Sequence, residues 1–385
     1  MTDSKIIRCK KCLLPNTKPS LQFVNGICSG CQSYEKRKEI DWAEREAKFL
    51  EIVKKAKKDI KGNYHCIIPC SGGKDSYFQT IKILEYGLNP LCVVASTQKL
   101  SKLGRENIDN LKKLGVDVIE YSADPILRRK IDRFTLETVG DISWSEHITI
   151  WTIPARISVN LNIPLIIWGE NSENENGGPL QNQIGTEILL DRKYIDEFGG
   201  LCGLRTSDIS EILDIPKEKL VPYTYPEIEK LEKIKSRGIF LGQFFSWDGL
   251  KNANLAKKHG FSFYEKNELE GSIVNYENLD NLYMRIHDYF KYLKFGYDRV
   301  TDWCSWHIRR ERLSREEALT INQEKCGHYP SEYMGVKLEK ILEEINISKT
   351  EFDKICLEYT NKNIFKSNND GNLIVSEDKR LILNE

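Results

Sequence analysis

The 385-residue sequence has no net charge, since 57 Lys+Arg balance 57 Asp+Glu. That argues against a chain whose main partner is a polyanion, although local basic patches stay open to it. Long hydrophobic runs are missing too. "PLCVVAS" and "IPLIIWG" are far too short to span a bilayer, and "MTDSKIIRCKKC" lacks a signal-peptide core. A cytoplasmic protein is expected, and its eleven cysteines are then thiols or metal ligands rather than disulfides. No repeat, low-complexity tract or G-x-G-x-x-G dinucleotide fingerprint occurs. The Walker pattern is absent as well, because Ile68 stands where its first glycine belongs and Asp75 follows the lysine.

What is present is a hydrophobic content of 40%, enough for a core, and an ordered succession of elements. "YEKRKEIDWAEREAKFLEIVKKAKKDIKG" places Trp42, Phe49, Ile52, Val53, Ala56 and Ile60 near a 3.6 period, which predicts one amphipathic helix ending at Gly62. From Tyr64 short apolar strands alternate with helices: "HCIIPC", "NPLCVVAS", "VDVIEYSA" and "IPLIIWG" are the strands. Such strands predict a parallel sheet covered on both faces, with its ligand at their carboxyl ends. "HITIWTIPARISVNLN" is read as a helix despite Pro154. After about Lys251 the strand signal fades. Capping boxes at Ser314/Glu317 and Ser348/Glu351 announce helices, so a mostly helical C-terminal part is expected.

Two stretches carry chemistry. "CKKC" (Cys9, Cys12) and "CSGC" (Cys28, Cys31) are separated by fifteen residues, the spacing of a zinc ribbon with a closed, structural site of four thiolates. An iron–sulfur cluster also suits four cysteines. "CSGGKDS" then links the first strand to a helix. Glycines permit close backbone approach to an anion, and a helix N-terminus offers free N–H groups, so the loop reads as a phosphate cradle.

The loop resembles the SGGxDS motif of the PP-loop ATP pyrophosphatases, which split ATP between its α- and β-phosphates. The resemblance implies that Ser71, Gly72, Gly73, Asp75 and Ser76 hold the β,γ-pyrophosphate, that Lys74 adds charge and that Asp75 orients Mg2+. Ser96 and Thr97, at the end of the second strand, are expected near the adenine. Glu170 and Asn171, in "WGEN" at the end of the fourth, are candidates for ATP or Mg2+ contact, and Glu170 is counted with Lys74 and Asp75 as catalytic.

Further along, "LLPNTKPSLQF", "LGRENIDNLKKLGVD", "IIWGENSE", "WDGLKNANLAKKHGF" and "FGYDRVTDWCSWHIRRERLSREEA" follow in order. Together with the cysteine pairs and "SGGKDS" they are similar to the N-acetyl sugar amidotransferases of bacterial surface-glycan synthesis, from about Cys9 to Ala318. That resemblance implies an α/β fold with four parts. These are a zinc ribbon (1–34), a connecting helix (35–62), a PP-loop domain (63–250) and a mostly helical region (251–385). It implies conversion of an acetamido to an acetamidino group with ATP and Mg2+, on sugars of the diacetamido-uronic or pseudaminic and legionaminic kind. Ammonia would come from a separate glutaminase, often with a cyclase-like conducting subunit. "GLCGL" at Gly200–Leu204 ends in leucine where a class I glutaminase turn has glycine, and position 2 is Thr where class II needs Cys.

Candidate acceptor residues are Arg105 and Asn107, opening a helix, and Trp247, Asp248 and Asn252 in "WDGLKNAN". His307, Arg309, Arg310 and Arg312 are candidates to bind an acidic sugar or a nucleotide diphosphate, since the arginine fork matches carboxylate and phosphate. His147 is a candidate base toward ammonia. A tRNA-modifying thiolase and a nucleotide-binding adaptor are the competing classes. Zero net charge and the end of cysteine pairing at Cys31 speak against the thiolase, so nucleic acid is not the expected partner.

Overall fold

The computed structural model describes residues 5–169, 200–266 and 268–385. At its centre is a parallel sheet of five strands: β1 (Cys66–Cys70), β2 (Pro90–Ala95), β3 (Asp117–Tyr121), β4 (Leu165–Trp168) and β5 (Arg237–Phe240). Their spatial order is β3-β2-β1-β4-β5, with Ile67 of β1 opposite Ile166 of β4 and Ile68 opposite Cys92 of β2. The chain winds one way from β1 to β3 and the other way from β4 to β5. The strand order therefore reverses between β1 and β4, and a crevice opens beyond the carboxyl ends of those two strands.

Alternation along β1 divides the core. Cys66, Ile68 and Cys70 face a large cluster containing Phe49, Val53, Tyr77 and Ile108, whereas Ile67 joins Val93, Ile153, Ile166 and Trp168 on the other face. The first face is covered by α2 (Trp42–Asp59), α3 (Lys74–Glu85) and α4 (Lys102–Leu111); α5 (Pro125–Val139) and α6 (Trp144–Leu161) follow in the chain. Pro154 lies inside α6 and is buried. It cannot donate to the Ile150 carbonyl, so this turn is held by packing rather than by the helix ladder.

Two expectations differ from what is observed. The single predicted helix before the sheet is two, α1 (Ser29–Arg37) and α2. The break falls where Asp41 caps α2 by accepting from the N–H groups of Ala43 and Glu44 at 2.9 and 3.1 Å. The fifth strand, "RGIF", is not among the expected ones, since four residues beginning with Arg-Gly carry little strand signal.

Beyond the sheet, α7 (Gly249–Lys258) packs against α3. The rest is mostly helical: α8 (Met284–Phe295), α9 (Arg299–Arg309), α10 (Arg315–Lys325) and α11 (Lys349–Tyr359). Both predicted capping boxes are formed, Ser314 with Glu317 and Ser348 with Glu351. No helix among the described residues is long and apolar enough to cross a membrane.

Candidate active site

The loop after β1 occupies the crevice at the strand reversal. Gly72 has φ +82, and a Cβ there would stand 2.6 Å from Ile108 Cγ1 of α4, so only glycine fits. Gly73 is the N-cap of α3. The loop is braced internally: the Ser71 N–H donates to Ser76 Oγ at 3.1 Å and the Gly73 N–H to Ser71 Oγ at 3.3 Å. The first-turn N–H groups of α3 are thereby presented at the mouth of the crevice.

Lys74 is 4% exposed. Its ammonium pairs with Asp75 at 2.5 Å and with Glu277. Asp75 in turn accepts from Asn252 Nδ2 of α7 at 2.9 Å. Burial raises the Glu277 carboxyl, with Lys74 opposing that rise. Glu277 belongs to a segment, Glu277–Asn281, that roofs the loop. It is pinned by Ser101, whose N–H donates to the Asp280 carbonyl at 2.8 Å and whose hydroxyl donates to the Leu279 carbonyl. The Asp280 carboxyl, raised by burial, receives a hydrogen bond from Ser71.

Between loop, roof and sheet lies a cleft of about 370 Å3, walled by Val93 and Ala95 of β2, Trp168 and Gly169 after β4, and Glu146, His147, Ile150 and Pro154 of α6. The Trp168 Nε1 is buried with no hydrogen-bond partner among the described residues, an orphan donor available to a ligand. Burial pushes the Glu146 carboxyl up to about 8 although Arg128 stands 3.1 Å away. His147 is lowered by burial, and its Nδ1 is 3.2 Å from the Gly200 carbonyl.

A second pocket, of about 150 Å3, adjoins the first and shares Lys74, Asp75, Glu277 and Asn278 with it. Its other walls are Trp247, Trp303, Trp306, Arg299, His307, Arg310 and Arg312. Trp303 and Trp306 meet edge to face at 4.7 Å. Trp303 Nε1 and His307 Nε2 are buried without partners among the described residues. Burial, then the charges of Arg312 and Arg310, lower His307 to about 4, so it is neutral near pH 7. Asp248 caps α7 and accepts from Arg312 at 2.5 Å. Against the effect of burial, Arg312 and Arg310 hold its carboxyl below the usual range.

The cysteine pairs come together at the N-terminus. All four Sγ atoms lie within 4.8 Å of one another and are fully buried, with Cys9–Cys31 at 3.9 Å and Cys12–Cys28 at 3.6 Å. A tetrahedral ion with bonds of about 2.3 Å needs sulfurs about 3.8 Å apart. The set therefore fits one small ion, whereas a multi-iron cluster would need its cysteines spread around a larger body.

Several predicted site residues converge and others do not. Ser71–Ser76, His147, Trp247, Arg310 and Arg312 line the two pockets, and Asp248 and Asn252 brace them. Ser96 and Thr97 stand just beyond Ala95. The Ser96 carbonyl accepts from Arg128, and the Thr97 hydroxyl is buried without a partner among the described residues. Arg105 faces away, paired with Glu120 at 2.5 Å and Asp109 at 2.9 Å on the outer surface of α4. Asn107 lines the cleft but is committed to the backbone: its Nδ2 donates to the Ser262 carbonyl at 3.0 Å and its Oδ1 accepts from the Ser262 N–H at 2.7 Å. Arg309 is turned inward and is 2% exposed, beside the cysteine sulfurs rather than in the pocket. Glu170 and Asn171 lie outside the described residues. Sequence reasoning missed Glu146, Glu277, Asp280, Arg299, Trp303 and Trp306. The one signal for the roof was "NYENLDN", a polar stretch without helical period.

Residues 270–378 match the family described as LPS biosynthesis protein WbpG-like, C-terminal domain. That span contains the roof segment, α9 and Arg312. An uncharacterized protein of Methanocaldococcus jannaschii is 32% identical over 113 residues, which span 28% of this chain and 39% of that protein. A solved structure of an NH3-dependent NAD synthetase from Campylobacter jejuni is similar over 56% of this chain and 96% of its own, at 18% identity and a TM-score of 0.28.

Proposed function

We propose that this protein is an ATP-dependent amidotransferase. It converts an acetamido group of a bacterial sugar or sugar nucleotide, of the diacetamido-uronic or pseudaminic/legionaminic type, to an acetamidino group for O-antigen or flagellar glycans. The observation that carries the reading is the meeting of two pockets at Lys74 and Asp75. One is a cleft over a phosphate-cradling loop; the other is a small chamber of tryptophans and arginines. Such a chamber suits a sugar ring with an acidic substituent. The matched LPS biosynthesis domain contributes most of its wall.

In this reading the acetamido oxygen attacks the α-phosphorus of ATP, and pyrophosphate leaves with the electron pair of the broken Pα–O bond. Ammonia then adds to the imidate carbon, loses a proton, and AMP departs. The chain's contribution is positioning and electrostatics. The N–H groups at the start of α3 and the Lys74 ammonium hold the departing pyrophosphate. Mg2+, when bound, would neutralise further phosphate charge, and Asp75 and Glu277 are the carboxylates placed to hold it. Glu146 and His147 are the proton acceptors lining the cleft, and Glu146 titrates close to neutral pH. Ammonia comes from a glutaminase partner, with or without a cyclase-like conducting subunit. Zinc occupies the cysteine site as a structural ion.

The test is product identity. With Mg·ATP, ammonium and a panel of diacetamido sugars and their nucleotide forms, the account expects acceptor-dependent release of AMP and pyrophosphate. Release of ADP and phosphate would contradict it. AMP and pyrophosphate formed only with added tRNA would move the acceptor to a nucleic acid.

A further inference from the structure

The four cysteines and the tryptophan pocket lie on opposite faces of one helix. On α9, Arg299, Trp303, Trp306 and His307, with Arg310 just past its end, face the pocket beside Lys74. These positions follow the i, i+4, i+7 spacing of a single face. Ser305, Ile308 and Arg309 point to the cysteine unit. Ser305 Oγ accepts from the Leu13 N–H at 3.3 Å, and Ile308 packs on the cysteine cluster. The guanidinium of Arg309 brings Nη2 to 3.8 Å from Cys12 Sγ and 3.9 Å from Cys28 Sγ. Room for it exists because residue 30 is glycine; a Cβ there would stand 2.6 Å from that nitrogen. Arg315 adds a further tie to the Cys9 carbonyl at 3.4 Å.

We infer that Arg309 is a positioning residue that couples the four-cysteine site to the pocket, so that occupancy of the metal site sets the order of the pocket wall. Four thiolates around a divalent ion leave two negative charges. Burying those without a counter-charge is costly, and Arg309 is the cation at hand. It therefore acts on both sides: it holds the sulfurs in register, and the sulfurs hold α9 in place. The inference does not depend on which acceptor the pocket takes.

The experiment is hydrogen exchange read by mass spectrometry on the full chain, with and without a zinc chelator, and in Arg309→Met and Arg309→Lys. After chelation of the wild type, peptides covering 299–313 should exchange at least about tenfold faster. Peptides covering 66–85 should be unchanged and still protected by a non-hydrolysable ATP analogue. Arg309→Met should release zinc to the chelator at least about tenfold faster and loosen the same helix, as expected when an outer partner of a metal site is lost. Arg309→Lys should recover part of both effects. Unchanged exchange over 299–313 after zinc removal would overturn the inference. So would equal loosening of the sheet and the helix, which would make the metal a general stabiliser. Should Arg309→Met fail to fold, Arg309→Lys takes its place, and zinc release from Arg309→Lys no faster than from wild type would overturn the part given to Arg309.

Discussion

Lys74, Asp75 and Glu277 form the charged knot on which both pockets close, and its members should be separable by substitution. Asp75→Asn keeps the shape and the acceptance from Asn252. It should nevertheless lower pyrophosphate release by about a hundredfold or more, since a positioned charge at the transferring phosphate is lost. Glu277→Gln should weaken Mg·ATP binding, read by titration calorimetry, while leaving binding of ATP without Mg2+ nearly unchanged. Equal loss in both conditions would contradict metal contact. Glu146 gives a pH signature. Its carboxyl binds a proton more tightly folded, at about 8, than unfolded, near 4.5. Its stabilising effect is therefore full below about 4.5 and lost as pH rises through 8. Glu146→Gln should gain urea stability relative to wild type between pH 5 and 9, by on the order of 1–3 kcal/mol. A pH-independent difference would contradict the assignment. At this scale the sequence exposes residues that act through local spacing, such as the loop and the cysteines. It hides Glu277 and Glu146, because neither lies in a motif. One reaches the loop from about two hundred residues away, the other from a helix whose own pattern is that of packing. Arg309 and Arg105 show the converse: two arginines with suitable chemistry whose forks are already committed to thiols and to Glu120.

Among the elements, the strand–loop–helix at 66–85 is the most demanding. Gly72→Ala would force a residue with a Cβ into φ +82 against Ile108 and should cost about 1–3 kcal/mol in a urea melt, with loss of nucleotide binding. Elements with strong local signals were legible in the sequence: the capping boxes, the four apolar strands and the proline-containing α6. Those set by tertiary context were not. Asp41 splits one continuous amphipathic run because its carboxylate captures two N–H groups, and "RGIF" becomes a strand only because β4 offers it an edge. The roof over the loop is neither helix nor strand, and its β-pairing is only an isolated bridge between Asn281 and Leu100, so periodicity could not reveal it.

Over the whole molecule, the parallel sheet puts its reversal beside β1, and the C-terminal part brings a roof and a tryptophan wall to that point. The side proposed for the nucleotide was therefore readable from a single contiguous motif. The side proposed for the acceptor was not, because it is assembled from the start of α7, α9 with the arginines after it, and Glu277 and Asn278. The measurement that tests the central claim most directly is a mass-spectrometric end-point assay with Mg·ATP, isotope-labelled ammonium and the diacetamido sugar panel. The account predicts one label per product amidine, with AMP and pyrophosphate formed in equal amount. Turnover of ATP to AMP with no label in any sugar, at saturating ammonium and with a glutaminase partner supplied, would contradict it.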